Sequence, residues 1–201
     1  MSPGAKTANA FTCKGCLLAI IDSFEPLIIR TQVQHLSHLR PFVFQAMSNK
    51  VARPIRIGVR FTNHCFTEGF DETKHQAREI IVKEGPRYRV FSPARHACSF
   101  RLPALVRGLA DDRIRVFQTS ARRNWMYAAI LDPPDGAARY QIFFMLRRSA
   151  PDRRAGQDLD LVVESAYLAD PEQAKPNVLG RIGFALLAGQ VFLGNPVSTR
   201  T

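Results

Sequence analysis

Three features of the sequence predict an α+β fold, with helices packed on one face of a twisted, mostly antiparallel β-sheet. IRIGVRFT (55–62) alternates apolar and polar residues, SPARHACSFRLPALVRGL (92–109) carries helix-start and helix-break signals, and four strand-like segments follow between 113 and 168. Helices early and consecutive strands late suit a segregated α+β domain better than alternating βαβ units. The chain has 201 residues, 46% of them hydrophobic and 22% charged, which is the composition of a folded domain. A chain of this length buries about 70% of its unfolded surface and needs no covalent staples. The expected organisation is a loose, small-residue leader over 1–11 and a single domain over 12–201.

CLLAIID (16–22) suits a short strand, and LIIRTQVQHL (27–36) a second segment. In 55–62 the residues Ile55, Ile57, Val59 and Phe61 share one face, and Arg56, Gly58, Arg60 and Thr62 the other. One side is core and the other basic. The polar stretch 66–79 reads as a loop or insertion, and IIV (80–82) before Gly85-Pro86 as one arm of a hairpin. Ser92 suits a helix N-cap with Pro93 at the first helical position, where its missing N–H costs nothing. Pro103 should split the segment into two short helices, the second ending near Gly108. The late strands are RIRVFQTS (113–120), NWMYAAIL (124–131), RYQIFFML (139–146) and LDLVVESAYL (159–168). The third is apolar on both faces, which places it mid-sheet. Pro133-Pro134-Asp135-Gly136 marks the turn before it.

IGFALLAGQVFLG (182–194) is apolar over thirteen residues. A membrane span needs about 20, so this reads as a buried strand pair or helix. The run Leu17 to Ile21 is too small and too late for an export signal. Cys13, Cys16, Cys65 and Cys98 then read as reduced intracellular thiols, and the expectation is a soluble, cytoplasmic protein with no membrane partner.

Charge is the strongest global signal. Lys+Arg number 28 against 17 Asp+Glu, a formal +11. Such a surface attracts polyanions, of which nucleic acid is the commonest. The expected partner is RNA, with DNA as a second polyanion. Solubility alone, or an acidic protein partner such as an inhibitor, accounts for the same charge.

Three groups of residues could carry chemistry. If the 55–62 strand runs on through Asn63 and His64, then Arg60, Thr62 and His64 share a face with Arg56 at about 6.6 Å spacing. A histidine beside arginines tends to stay neutral and could serve as a general base, with the arginines holding a phosphate. The plainer reading has His64 closing a strand end through backbone hydrogen bonds. In the helical segment, Arg95, His96 and Ser99 lie near one another, opposite an apolar stripe of Ala94, Cys98, Leu102, Leu105 and Leu109. Arg95 and His96 could add positive field for a phosphate, and solvent exposure explains them equally well. On the late strands, Glu164 reads as buried and so needs a partner: an arginine, or a role as general base. Tyr167 and Thr119 could hydrogen-bond a phosphate. Trp125 and Tyr127, beside Arg122, Arg123 and Asn124, could stack on unpaired bases or belong to the core.

CKGC (13–16) has a zinc-compatible spacing, but its only second pair is His64-Cys65, neighbours that point apart on an extended chain. That geometry also disfavours a Cys65–His64 nucleophile. With no phosphate loop or dinucleotide fingerprint, the expectation is chemistry without metal or cofactor.

Taken in order, RFTNHCFT, SPARHACSFRLPALVRGL, QTSARRNWMYAAI and YQIFFMLRR followed by VVESAYL resemble a family of small bacterial proteins. These are often encoded on mobile elements and carry growth-adaptation or stress names, and the likeness covers about residues 15–170. More loosely, the helix-then-sheet order is similar to the fold of barnase, RelE-type toxins and colicin nuclease domains. That resemblance implies a cleft on the sheet face and RNA as substrate, and it transfers no catalytic residue. The functional expectation is a metal-independent endoribonuclease of toxin type. His64 would be general base or acid, Arg60 and Arg95 the phosphate clamp, and Glu164, Tyr167 and Thr119 supporting groups. The alternatives are a nucleic-acid-binding or regulatory protein without turnover, and a basic protein that engages an acidic partner.

Overall fold

The computed structural model describes residues 23–120, 125–131, 139–169 and 178–197. A first hairpin, β1 (Leu27–Ile29) and β2 (Gln32–Gln34), stands apart as its own two-stranded sheet. Strands β3 (Phe42–Ser48) and β4 (Val51–Phe61) follow, then β5 (Thr67–Gly69), β6 (Ile80–Glu84) and β7 (Arg87–Phe91). Helices α1 (Pro93–Ser99) and α2 (Leu102–Gly108) precede β8 (Arg115–Ser120), β9 (Trp125–Leu131), β10 (Tyr140–Arg148) and β11 (Leu159–Leu168). Strand β12 (Val178–Gly183) leads into α3 (Phe184–Leu193). The architecture is the expected α+β fold.

The main sheet has the order β12-β8-β9-β10-β11-β4-β3, and β5-β7-β6 form a separate small sheet. Every neighbouring pair in the main sheet is antiparallel except β4 and β11, which run parallel with Ile57 opposite Leu159 and Phe61 opposite Val163. Strand β10, apolar on both faces, lies between β9 and β11 as its composition predicts. The alternation in β4 also holds, since Ile55, Ile57, Val59 and Phe61 are all buried in the core. That core face is shared by Leu159, Leu161, Val163, Ile142 and Phe144.

The helices cover this face. Phe184 of α3 stacks on Phe44 at 6.2 Å and meets the edge of Phe144 at 6.1 Å. A left-handed Gly194 ends α3, where the N–H of Asn195 reaches Gln190 O at 3.0 Å. The apolar segment 182–194 is therefore the end of a strand followed by a helix. Pro93 and Pro103 each occupy the first turn of a short helix, so the expected split falls at Phe100–Arg101. Leu102 and Leu109 are buried as expected. The rest of the proposed stripe is not uniform: Ala94 is exposed, while Ser99 is fully buried, its hydroxyl donating to His96 O at 2.7 Å and accepting from His38 Nε2 at 2.7 Å. The segment CLLAIID and the CKGC spacing lie outside the described residues. No helix among the described residues is long and apolar enough to cross a membrane.

Close approach fixes α3 on the sheet. A Cβ at Gly189 would collide with Ser48 Oγ and meet Lys50 Cβ at 3.0 Å. Gly189→Val should therefore destabilise the fold by roughly 1–3 kcal/mol through overpacking. Urea denaturation reads this, and an unchanged midpoint would refute the packing of α3 against β3.

Candidate active site

The basic face of β4 is more heavily ion-paired than the sequence suggests. Arg56 donates to Ala155 O at 2.8 Å and Arg154 O at 3.0 Å, and it pairs with Asp158 at 3.2 Å. Arg53 grips the same carboxylate at 3.0 Å on each oxygen. Hydrogen bonds from Arg53, then from Arg56, hold the Asp158 carboxyl well below the usual carboxylate range against the cost of burial. Arg60 is 9% exposed and faces Asp160 at 3.4 Å. Asp160 is itself 2% exposed and also faces Arg153 at 3.4 Å and Arg147 at 3.8 Å, while Ser149 donates to it at 2.8 Å. Gln157 bonds to the same carboxylate and fills the space that a side chain at Gly58 would need. Arg56 and Arg60 thus tie the 153–160 segment to β4.

His64 is not on the strand. Strand β4 stops at Phe61, and Thr62 turns the chain into a 3-10 turn over Asn63–Cys65. The Thr62 N–H bonds to Val163 O at 3.0 Å, its hydroxyl donates to Glu164 O at 2.6 Å, and the same oxygen accepts from the His64 N–H at 3.3 Å. Local capping wins over extension here. Consequently Arg60, Thr62 and His64 do not form one row, and the ring of His64 faces a carboxylate rather than arginines. Its Nε2 lies 2.9 Å from Glu84 Oε2, and Asn63 Nδ2 donates to Glu84 Oε1 at 2.7 Å. Burial raises the Glu84 carboxyl, but the bonds from His64 and Asn63 outweigh it and hold the group below its ordinary value.

Arg95 does reach this turn. It donates to His64 O at 3.1 Å, and its guanidinium lies over the ring of Tyr167, 4.9 Å from the centroid. Tyr167 stacks in turn on Phe143 at 5.5 Å. Burial raises the Tyr167 hydroxyl, with Arg95 opposing.

Glu164 lies on the same side of the sheet as Arg60. The β10–β11 register shifts between Phe143 and Phe144, so Phe144 opposes Val163, Phe143 opposes Ser165, and Glu164 is the extra residue of a β-bulge. The side chain is 8% exposed, and its buried Oε1 has no hydrogen-bond partner among the described residues. Burial pushes its carboxyl up to about 7, with Arg147 opposing and the Glu84 charge adding. An arginine is therefore near, as the sequence suggested, but no ion pair to Glu164 forms among the described residues.

The structure thus gathers His64, Arg95, Tyr167 and Glu164 around the end of β4. It sets Arg56 and Arg60 in the ion-paired lattice instead. Thr119 is buried on β8, three strands from β11 and so about 14 Å across the sheet. Arg122, Arg123 and Asn124 lie outside the described residues, as does the side chain of Trp125, although Trp125 begins β9. Cys65 is fully buried and burial pushes its thiol up to about 12, which bars it as a nucleophile. Glu84 was the group the sequence reading missed. Its one signal was position, a carboxylate closing a strand immediately before the Gly85-Pro86 turn. Among the described residues no group of three or more His, Cys, Asp or Glu is placed to hold a metal ion.

Fold and site together define an α+β protein with a buried carboxyl group beside a His–Glu pair and a stacked arginine. The YjaZ family model matches residues 26–192, most of the chain, and the chain belongs to the YjaZ family. No curated protein and no solved structure matches it.

Two outcomes test this geometry. A Glu164 raised in the folded state keeps its proton where the unfolded chain loses it, so its contribution is present below pH 4.5 and is lost as pH rises to about 7. Glu164→Gln should remove that decline, which amounts to roughly 3 kcal/mol at most, and raise the urea midpoint at alkaline pH relative to the parent. Parallel pH profiles for the two proteins would contradict the assignment. Asp160→Ala should cost about 3–5 kcal/mol by leaving the buried Arg60 without its carboxylate. A loss below about 1 kcal/mol in denaturant unfolding would show that the cluster is not structural.

Proposed function

We propose that this protein binds RNA and cleaves it without a metal ion, with Glu164 and His64 as the acid–base pair. The observation that carries the reading is Glu164. It is a buried carboxyl, raised to about 7, with one oxygen that has no hydrogen-bond partner among the described residues, on a sheet face that also presents Tyr167. A group that exchanges its proton near neutrality is what general acid–base chemistry requires, and structural carboxylates such as Asp158 are held far from it. The net charge of +11 supports a polyanionic substrate.

RNA carries its own nucleophile, so the protein need supply only proton transfer and charge stabilisation. The Glu164 carboxylate takes the 2′-OH proton as the 2′ oxygen bonds to phosphorus. The bond from phosphorus to the 5′ oxygen breaks, and His64, held against Glu84, gives that oxygen a proton. The products are a 2′,3′-cyclic phosphate and a free 5′-OH. Arg95, oriented by Tyr167 and by the His64 carbonyl, faces the charge on the phosphorane oxygens. In this reading Arg60 supports the sheet through Asp160 rather than clamping phosphate. The loose resemblance to barnase and RelE-type ribonucleases belongs to the same reading, because two short helices precede an antiparallel run of strands, the last of which carries Glu164.

Incubation with total RNA in EDTA should produce new ends bearing cyclic phosphate. Glu164→Gln and His64→Ala should each lower the rate by about 10²–10⁴-fold while leaving RNA retention in filter binding nearly intact. Arg95→Ala should weaken both. RNA that is bound but stays intact at every protein concentration would leave a binding module. RNA neither bound nor cut would favour an acidic protein partner.

A further inference from the structure

A cavity of about 940 Å³ opens between the β1–β2 hairpin and the small sheet, bordered by the start of α1. Its volume suits a small organic ligand. Pro93 and His96 of α1 line it, whereas Arg95 of the same helix turns to His64 O.

Three features of its wall point to one chemistry. The first is a pair of rings: Phe91 and His96 lie 5.2 Å apart, and His96 is fixed because its Nε2–H donates to His35 O at 3.2 Å. The second is positive charge from two separate elements, Arg30 on the hairpin turn and Lys74 and Arg78 on the segment before β6. The acids that share the wall already have partners. Glu79 holds Arg30 and the Gln76 N–H, and Glu68 faces His75 Nε2 at 3.7 Å. The His75 Nδ1 accepts the Asp71 N–H at 3.0 Å, which leaves Nε2 as the proton-bearing nitrogen directed at Glu68. The third is the turn itself. Arg30 and Thr31 both adopt left-handed backbone, with φ of 47° and 72°, where a turn of this kind ordinarily uses Asn or Gly. Strain of this sort persists where surrounding structure demands the residue. Here the turn carries Arg30 across the cavity to Glu79, at 3.0 Å, in an exposed pair weak enough for a ligand phosphate to capture the guanidinium.

We propose that this cleft is a nucleotide-binding subsite, with the base against Phe91 and His96 and the phosphate held by Arg30, Lys74 and Arg78. That its physiological occupant is a ribonucleotide of a bound RNA chain rests on the proposed function. The cleft and the His64 turn both adjoin α1, through Pro93 and His96 in the one case and Arg95 in the other, which suits a nucleotide flanking the scissile bond. Recognition of a phosphorylated base by the cleft does not depend on catalysis.

Calorimetric titration of the full chain with the four ribonucleoside 5′-monophosphates tests this, beside the matching nucleosides and inorganic phosphate. At least one mononucleotide should bind with a Kd below about 1 mM and more tightly than its nucleoside or phosphate. Lys74 and Arg78 are exposed, so Lys74→Ala/Arg78→Ala should fold normally and bind at least about tenfold more weakly. Glu164→Gln should bind as the parent does. No saturable binding overturns the proposal, as does phosphate binding equal to nucleotide binding, or a loss of affinity in Glu164→Gln but not in the cleft variant. Nucleotide binding by a protein that leaves RNA intact would uphold the cleft and remove only the catalytic reading.

Discussion

The parallel pairing of β4 with β11 is the contact on which the rest of the molecule depends. It joins segments about 100 residues apart, Ile57 to Leu159 and Phe61 to Val163, in a sheet whose other pairings are antiparallel. Such a long closure is entropically costly, and local propensity does nothing to favour it. The charges at its start offset that cost. Asp158 bonds to the Arg56 backbone N–H at 2.8 Å as well as to the side chains of Arg53 and Arg56, and Asp160 lies two residues further on, facing Arg60. At the other end, Thr62 closes the pairing onto Val163 and Glu164 through one backbone and one hydroxyl bond. The candidate site lies where this pairing ends. Strand β4 stops, β11 continues for five residues beside β10, and the 63–65 turn fills the edge that β4 vacates.

This arrangement explains why two carboxyl groups on one strand face differ so much. Asp160 and Glu164 both project from the open side of β11. Asp160 meets a convergence of arginines at 4 Å or less, together with Ser149 and Gln157. Glu164 is displaced by the bulge opposite Phe143 and Phe144, its main-chain oxygen taken by Thr62 and its side chain left near Arg147 and Glu84, with a buried Oε1 that has no hydrogen-bond partner among the described residues. A bulge re-aims a side chain without breaking the sheet, and it is the means by which a strand places one residue out of the pattern of its neighbours.

Much of the frame could be read from the sequence because it follows short-range rules. The alternation of β4, the doubly apolar β10 and the two proline-led helices are periodicity and capping effects that act within a few residues. The extrapolation of β4 through His64 failed for a reason also written locally. Cys65 and Phe66 are adjacent and both buried, which a strand with one core face does not allow, and Thr62-Asn63 is a pair suited to turning the chain. The partner of His64 was beyond local reading, because Glu84 arrives from a different sheet through a contact twenty residues away. The ion-pairing of Arg56 and Arg60 was hidden in the same way, since nothing in 55–62 announces that Asp158 and Asp160 lie against it.

The two carboxyl groups of the site are separated by environment. Glu84 and Glu164 are the same side chain with opposite displacements. Two directed hydrogen bonds outweigh burial for Glu84, and burial without such bonds governs Glu164. Neighbouring carboxyls resist losing their protons together, so the charge fixed on Glu84 by His64 and Asn63 itself favours the protonated form of Glu164. The His64–Glu84 pair therefore does more than orient an imidazole. It keeps one negative charge where it is hydrogen-bonded and makes a second one costly nearby, which leaves a single carboxyl whose proton moves near neutral pH. Pairs of groups pushed apart in this way are the usual basis for dividing acid and base roles within one site.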